Sequence, residues 1–118
     1  HPRVNQFLRQ FGRRLRQVVR AGDAPCRYGG DEFLVVLPQT DLNQAVELAE
    51  TLRVQIRSLP IQSESAPTHF ISASIGVACS QEHGLTIEEL LEAVDQAVYQ
   101  AKTQNDCVII APLRALNP

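Results

Sequence analysis

Residues 27–33 read Arg-Tyr-Gly-Gly-Asp-Glu-Phe and run directly into Leu-Val-Val-Leu-Pro. Adjacent carboxylates repel each other and resist burial unless a cation or a donor compensates them. Asp31 and Glu32 on a tight turn offer the hard oxygen ligands that Mg2+ takes. Gly29 and Gly30 remove side chains and bare backbone N–H groups, which suits close approach by a phosphate. Phosphate together with a divalent cation is nucleotide chemistry. Strand alternation aims neighbouring side chains to opposite faces, so one site need not hold both acids equally. An ordinary polar hairpin tip is the competing reading of the same residues.

Two glycines between apolar runs predict a hairpin: a strand over Ala24 to Tyr28, a tight turn, and a returning strand over Phe33 to Leu37. The unbroken apolar character of the second strand predicts burial on both faces. Upstream, Val4, Phe7, Leu8, Phe11, Leu15, Val18 and Val19 recur at helical spacing and predict an amphipathic helix over about residues 3–20. Downstream, Asp41 opens a helix with Gln44 as its capping-box partner, and Ala45, Leu48, Ala49, Leu52 and Ile56 form the inner face. The polar, proline-bearing segment Ser58–His69 reads as a loop, and His69–Ser80 as a single strand. Thr86 and Glu89 make a second capping box, ahead of an apolar stripe from Ile87 to Ala101. Asp106–Ala111 is a last strand, and the final residues, 112–118, read as a frayed tail. Helices alternate with strands, so the class is α/β or α+β, helices packed on one sheet.

A chain of 118 residues is one domain's worth, and its hydrophobic fraction of 44% is ordinary for a globular core. Six of the eleven Lys and Arg residues fall in the first twenty positions (Arg3, Arg9, Arg13, Arg14, Arg16, Arg20), yet the net charge is −2. Without interleaved aromatics, that basic helix does not read as a nucleic-acid surface. No apolar run is long enough to cross a bilayer, and the opening residues lack a secretory pattern, so no membrane contact is expected. Cys26, Cys79 and Cys107 are odd in number and widely spaced, which fits reduced core thiols and no zinc site.

Arg-Tyr-Gly-Gly-Asp-Glu-Phe, the strand Ser74-Ile75-Gly76-Val77 and the helix pattern Asp95, Ala97, Tyr99, Ala101, Lys102 occur in order and together resemble the GGDEF family of diguanylate cyclases. The resemblance implies a nucleotidyl-cyclase-like α+β sandwich with a ferredoxin-like, mixed or antiparallel central sheet flanked by helices. Residues 1–111 would form the domain. It also implies a reaction, in which two GTP molecules condense to cyclic di-GMP with release of pyrophosphate. Each domain would hold one GTP, so catalysis would need a two-fold homodimer. By position, Asp31 would bind Mg2+ (or Mn2+) and help activate the attacking hydroxyl, and Glu32 would complete the metal site. Gly29 and Gly30 would admit the phosphates, and Lys102 would steady their charge; read alone, Lys102 is a surface cation favoured at a helix C-terminus. Arg20 and Asp23 stand as Arg-x-x-Asp with five residues between Asp23 and Gly29, where the family has its inhibitory cyclic di-GMP site. Arginine offers a planar fork to phosphate or a guanine edge, and aspartate accepts from guanine N–H groups. Arg53 is a candidate partner arginine. An upstream sensor domain in the same chain and a cytoplasmic location, tethered through the region before His1, complete the expectation.

Departures from the family pattern bear on activity. Only His1 remains of a Gly-His pair, so the family's first strand and helix, with a further metal aspartate, are expected to precede this chain. Asn5 replaces an aspartate that reads guanine; it keeps an acceptor oxygen but loses the charge. Asp106 stands where the family has an arginine that helps to hold the triphosphate, and it is expected to repel that anion. Asn5 and Asp106 favour the alternative of a noncatalytic receptor for cyclic di-GMP or GTP.

Overall fold

The computed structural model describes residues 2–27, 32–63, 66–70 and 72–115, with side chains for 8–25, 32–59 and 72–115. Helix α1 spans Pro2–Val18 and carries Leu8, Phe11 and Leu15 inward, while Arg9, Arg13, Arg14 and Arg16 face solvent. Leu15 is buried, and the Phe11 ring meets the Phe33 ring edge-on at 4.5 Å. Strand β1 (Ala24–Arg27) pairs antiparallel with β2 (Phe33–Val36), Arg27 opposite Phe33, so the two strands pair as expected, and the turn between them lies outside the described residues. Tyr28, where β1 was expected to end, lies outside the described residues.

Helix α2 (Leu42–Arg57) begins as its sequence dictates. The Asp41 carboxylate accepts from Gln44 N–H at 2.8 Å, and the Gln44 side chain accepts from Asp41 N–H at 3.1 Å. Ala49, Leu52 and Ile56 are its buried face. The segment expected to be a loop instead forms β3 (Pro60–Ser63), paired antiparallel with β4 (Ala66–Phe70). The expected single strand over His69–Ser80 is divided: Phe70 ends β4, and Ser74–Val77 form β5 in another sheet. Ile71 lies outside the described residues.

Helix α3 (Ile87–Gln104) crosses from β5 to β6 (Cys107–Ile110), which lies parallel to β5. Parallel neighbours need such a crossover. Small residues set its distance from the sheet. Ala93, Ala97 and Ala101 are buried, and a Cβ on Gly76 would stand 2.8 Å from the backbone N of Val98. Within the segment expected to fray, Arg114 is bonded: its N–H donates to the Glu82 carbonyl at 2.8 Å and its Nε to the Gln81 carbonyl at 2.7 Å. The fold is mixed α/β, with antiparallel and parallel strand pairs flanked by helices. Among the described residues β2 pairs with β1 alone and β5 with β6 alone. A cavity of about 770 Å³ lies between them, walled by residues such as Phe11, Leu34, Leu52, Ile75 and Val94.

Candidate functional site

Glu32 leads into β2, and Lys102 lies in the last turn of α3, 70 positions away in sequence. The fold brings them together: Lys102 Nζ donates to Glu32 Oε1 at 3.1 Å. Both side chains border the cavity and remain about half exposed, at 44% for Glu32 and 53% for Lys102. The helix end favours the ammonium, and the ammonium in turn compensates the carboxylate. Gly29, Gly30 and Asp31 lie outside the described residues, as does the side chain of Asn5 on α1.

Arg20 and Asp23 also meet. The Asp23 carboxylate accepts from Arg20 N–H at 2.7 Å and faces its guanidinium at 3.5 Å. The guanidinium donates further to the Pro38 carbonyl at 3.3 Å and to Thr40 Oγ1. The Asp23 side chain is 2% exposed and the Arg20 side chain 57%. Asp23 therefore holds Arg20 in place, and the outward surface of the pair is a guanidinium edge. Pro38 stands six residues along the chain from Glu32, on the far side of β2.

Asp106, expected from sequence to repel a triphosphate, is paired with two arginines. Arg53 Nη1 donates to its Oδ1 at 3.0 Å, and Arg57 Nη1 lies 2.8 Å from its Oδ2. Asn105 and Asp106 have positive φ, 61° and 48°, with ψ of 147° at Asn105, and the Asp106 carboxylate is paired to α2. Arg53 is also bonded to Glu50 at 2.9 Å. Its pKa is raised, first by the Glu50 hydrogen bond and then by Asp106, so it stays charged. Arg53 and Arg57 are spaced i, i+4, so a shared helix face was readable from sequence; what faces them was not.

A second polar contact went unread in the sequence. His83 is buried, and its Nδ1 accepts from Cys79 N–H at 2.8 Å, which leaves the ring proton on Nε2. Cys79 beside it is a free thiol whose pKa is raised by burial first and by Glu82 second.

The family model described as diguanylate cyclase, GGDEF domain, matches residues 1–106. The chain belongs to the GGDEF domain family. It is 38% identical over 111 residues to the response regulator PleD of Caulobacter vibrioides, covering 93% of this chain and 24% of that protein. Diguanylate cyclase DgcM of Escherichia coli is 37% identical over 111 residues, covering 94% and 26%. Among solved structures, the GGDEF domain of YfiN (TpbB) from Pseudomonas aeruginosa superposes with a TM-score of 0.83 at 30% identity, covering 93% of this chain and 69% of that one. The chain spans about a quarter of the length of these two curated relatives. No helix among the described residues is long and apolar enough to cross a membrane.

The GGDEF domain's described residues hold no group of three or more His, Cys, Asp or Glu side chains placed for a metal. Glu32 nonetheless fits Mg2+ by donor chemistry: it is a half-exposed carboxylate, and Mg2+ sites use one or two carboxylates, with waters and substrate phosphates as the remaining ligands.

Proposed function

We propose that this GGDEF domain is a diguanylate cyclase module that condenses two GTP molecules into cyclic di-GMP. In each of two steps a 3′-oxygen bonds to the α-phosphorus of the facing GTP, and the bond from that phosphorus to pyrophosphate breaks. Asp31 and Glu32 would hold Mg2+ (or Mn2+), which neutralises phosphate charge when bound. Asp31 would help to draw the proton from the attacking hydroxyl. Gly29 and Gly30 would admit the phosphates, Lys102 would bind them, and Asn5 would meet guanine. Each module would supply one GTP, so the working unit would be a two-fold homodimer. Arg20 would bind product phosphate or a guanine edge, with Asp23 fixing its orientation. An upstream sensor region of the same chain and a cytoplasmic setting complete this reading.

The observation that supports it is the Lys102–Glu32 contact, which sets a lysine ammonium beside the one acid of the Gly-Gly-Asp-Glu motif among the described residues. The pairing of Asp106 with Arg53 and Arg57 also favours catalysis, because that carboxylate is already compensated. Asn5 favours a noncatalytic receptor for cyclic di-GMP or GTP. Incubating full-length protein with GTP and Mg2+, then separating the nucleotides, decides between them. Cyclic di-GMP that disappears in Asp31→Ala supports the cyclase. Cyclic di-GMP binding without turnover, lost in Arg20→Ala, supports the receptor.

A further inference from the structure

We propose that Lys102 occupies the cation position at Glu32 until a divalent ion arrives, and that loading the site exchanges partners, Glu32 passing to the metal and Lys102 to phosphate. The inference rests on reading Glu32 as a metal ligand. Three features carry it. The contact is a single ammonium–carboxylate bond at 3.1 Å, and the described residues offer neither side chain another hydrogen bond or ion pair. Both groups are about half exposed, and such pairs alter equilibria by no more than about fivefold, so the exchange meets little resistance. The lysine sits in the last turn of α3, where its backbone is held while a four-carbon stem lets the ammonium swing between neighbouring anions.

The exchange separates two roles that a plain phosphate ligand would not. An ammonium on the carboxylate competes with the metal before nucleotide binds, and assists phosphate after it binds. Neutralising Lys102 must then act with opposite signs on the two ligands.

The test is a titration of full-length protein with Mn2+ alone, free ion being followed by electron paramagnetic resonance, in wild type, Lys102→Gln, Glu32→Gln and the double variant. We expect Lys102→Gln to tighten Mn2+ binding by about two- to fivefold, and to leave it unchanged when Glu32 is already Gln. GTP binding in Mg2+ should weaken in the same Lys102→Gln protein. Lys102→Arg keeps the charge and should not tighten Mn2+. Lys102→Gln that leaves Mn2+ affinity unchanged or lower overturns the exchange, as does tightening that persists without the Glu32 carboxylate, which would mark a diffuse field. Absence of Mn2+ binding to the nucleotide-free protein also overturns it. GTP turnover by the same wild-type preparation shows separately whether the cyclase reading stands.

Discussion

Gly76→Ala is the substitution whose consequence the structure defines most tightly. A Cβ at position 76 would stand 2.8 Å from Val98 Cγ2, 2.8 Å from Val98 N and 2.9 Å from Val94 O. Against an optimum carbon–carbon contact of about 3.5 Å or more, the methyl is short by about 0.7 Å. Rotating Val98 relieves only one of these contacts, because the other two are backbone atoms of α3. The helix must move off β5, and Lys102, one turn beyond Val98, must move with it. Overpacking of this kind costs about 2 kcal/mol, and for a domain of this size that lowers Tm by about 6–12 °C. Gly12→Ala is the internal control. Nothing lies within 4 Å of a Cβ at position 12 of α1, so the same chemical change should raise Tm by a few degrees through helix propensity, at about 0.5–1 kcal/mol. Thermal unfolding by circular dichroism measures both. A Gly76→Ala protein that melts within about 1 °C of wild type would refute the close-approach account of α3 on β5.

Other expectations can be checked alongside. Thr86→Ala removes the side-chain acceptor of Glu89 N–H, at 3.1 Å, and should cost α3 about 1 kcal/mol in urea unfolding. Asp106→Asn keeps the shape and the tolerance of positive φ but releases Arg53 and Arg57; the loss should be about 1 kcal/mol at low salt and shrink in 1 M salt. Cys79, with its thiol pKa pushed up by burial, should alkylate slowly with iodoacetamide at pH 8 and faster as pH rises through that elevated value, which mass spectrometry can follow. The sign for stability follows: a raised folded-state pKa contributes stability below the ordinary thiol range, and that contribution is lost as pH climbs through the raised value.

Features of this domain that are decided within a few residues were readable in its sequence. The Asp41–Gln44 box depends on a carboxylate and an amide three positions apart, and both bonds form. The stripe over Ile87–Ala101 depends on helical period alone, and α3 follows it. The β3–β4 hairpin lay hidden because its strands are short, polar and interrupted by Pro60 and Pro67, residues that only an edge position tolerates. The apolar run of β2 suggested burial on both faces, yet Val36 is 52% exposed, because among the described residues β2 has a strand on one side and borders the cavity on the other.

The site divides along the same line between local and distant causes. Sequence names the charges of Glu32, Lys102, Asp23 and Asp106, but a charge acts according to what it faces. Asp106 read as a repulsive group from its charge alone; the turn at Asn105 and Asp106 pairs it with two arginines of α2, contacts that no local pattern announces. Asp23 read as a ligand group, and the fold adds a partner for it: its carboxylate is buried against Arg20. Lys102 and Glu32 were separate assignments, and the fold makes them one neutral pair at the hairpin mouth. An exposed ammonium–carboxylate pair of this kind costs little to form and little to part, so either group stays open to another partner.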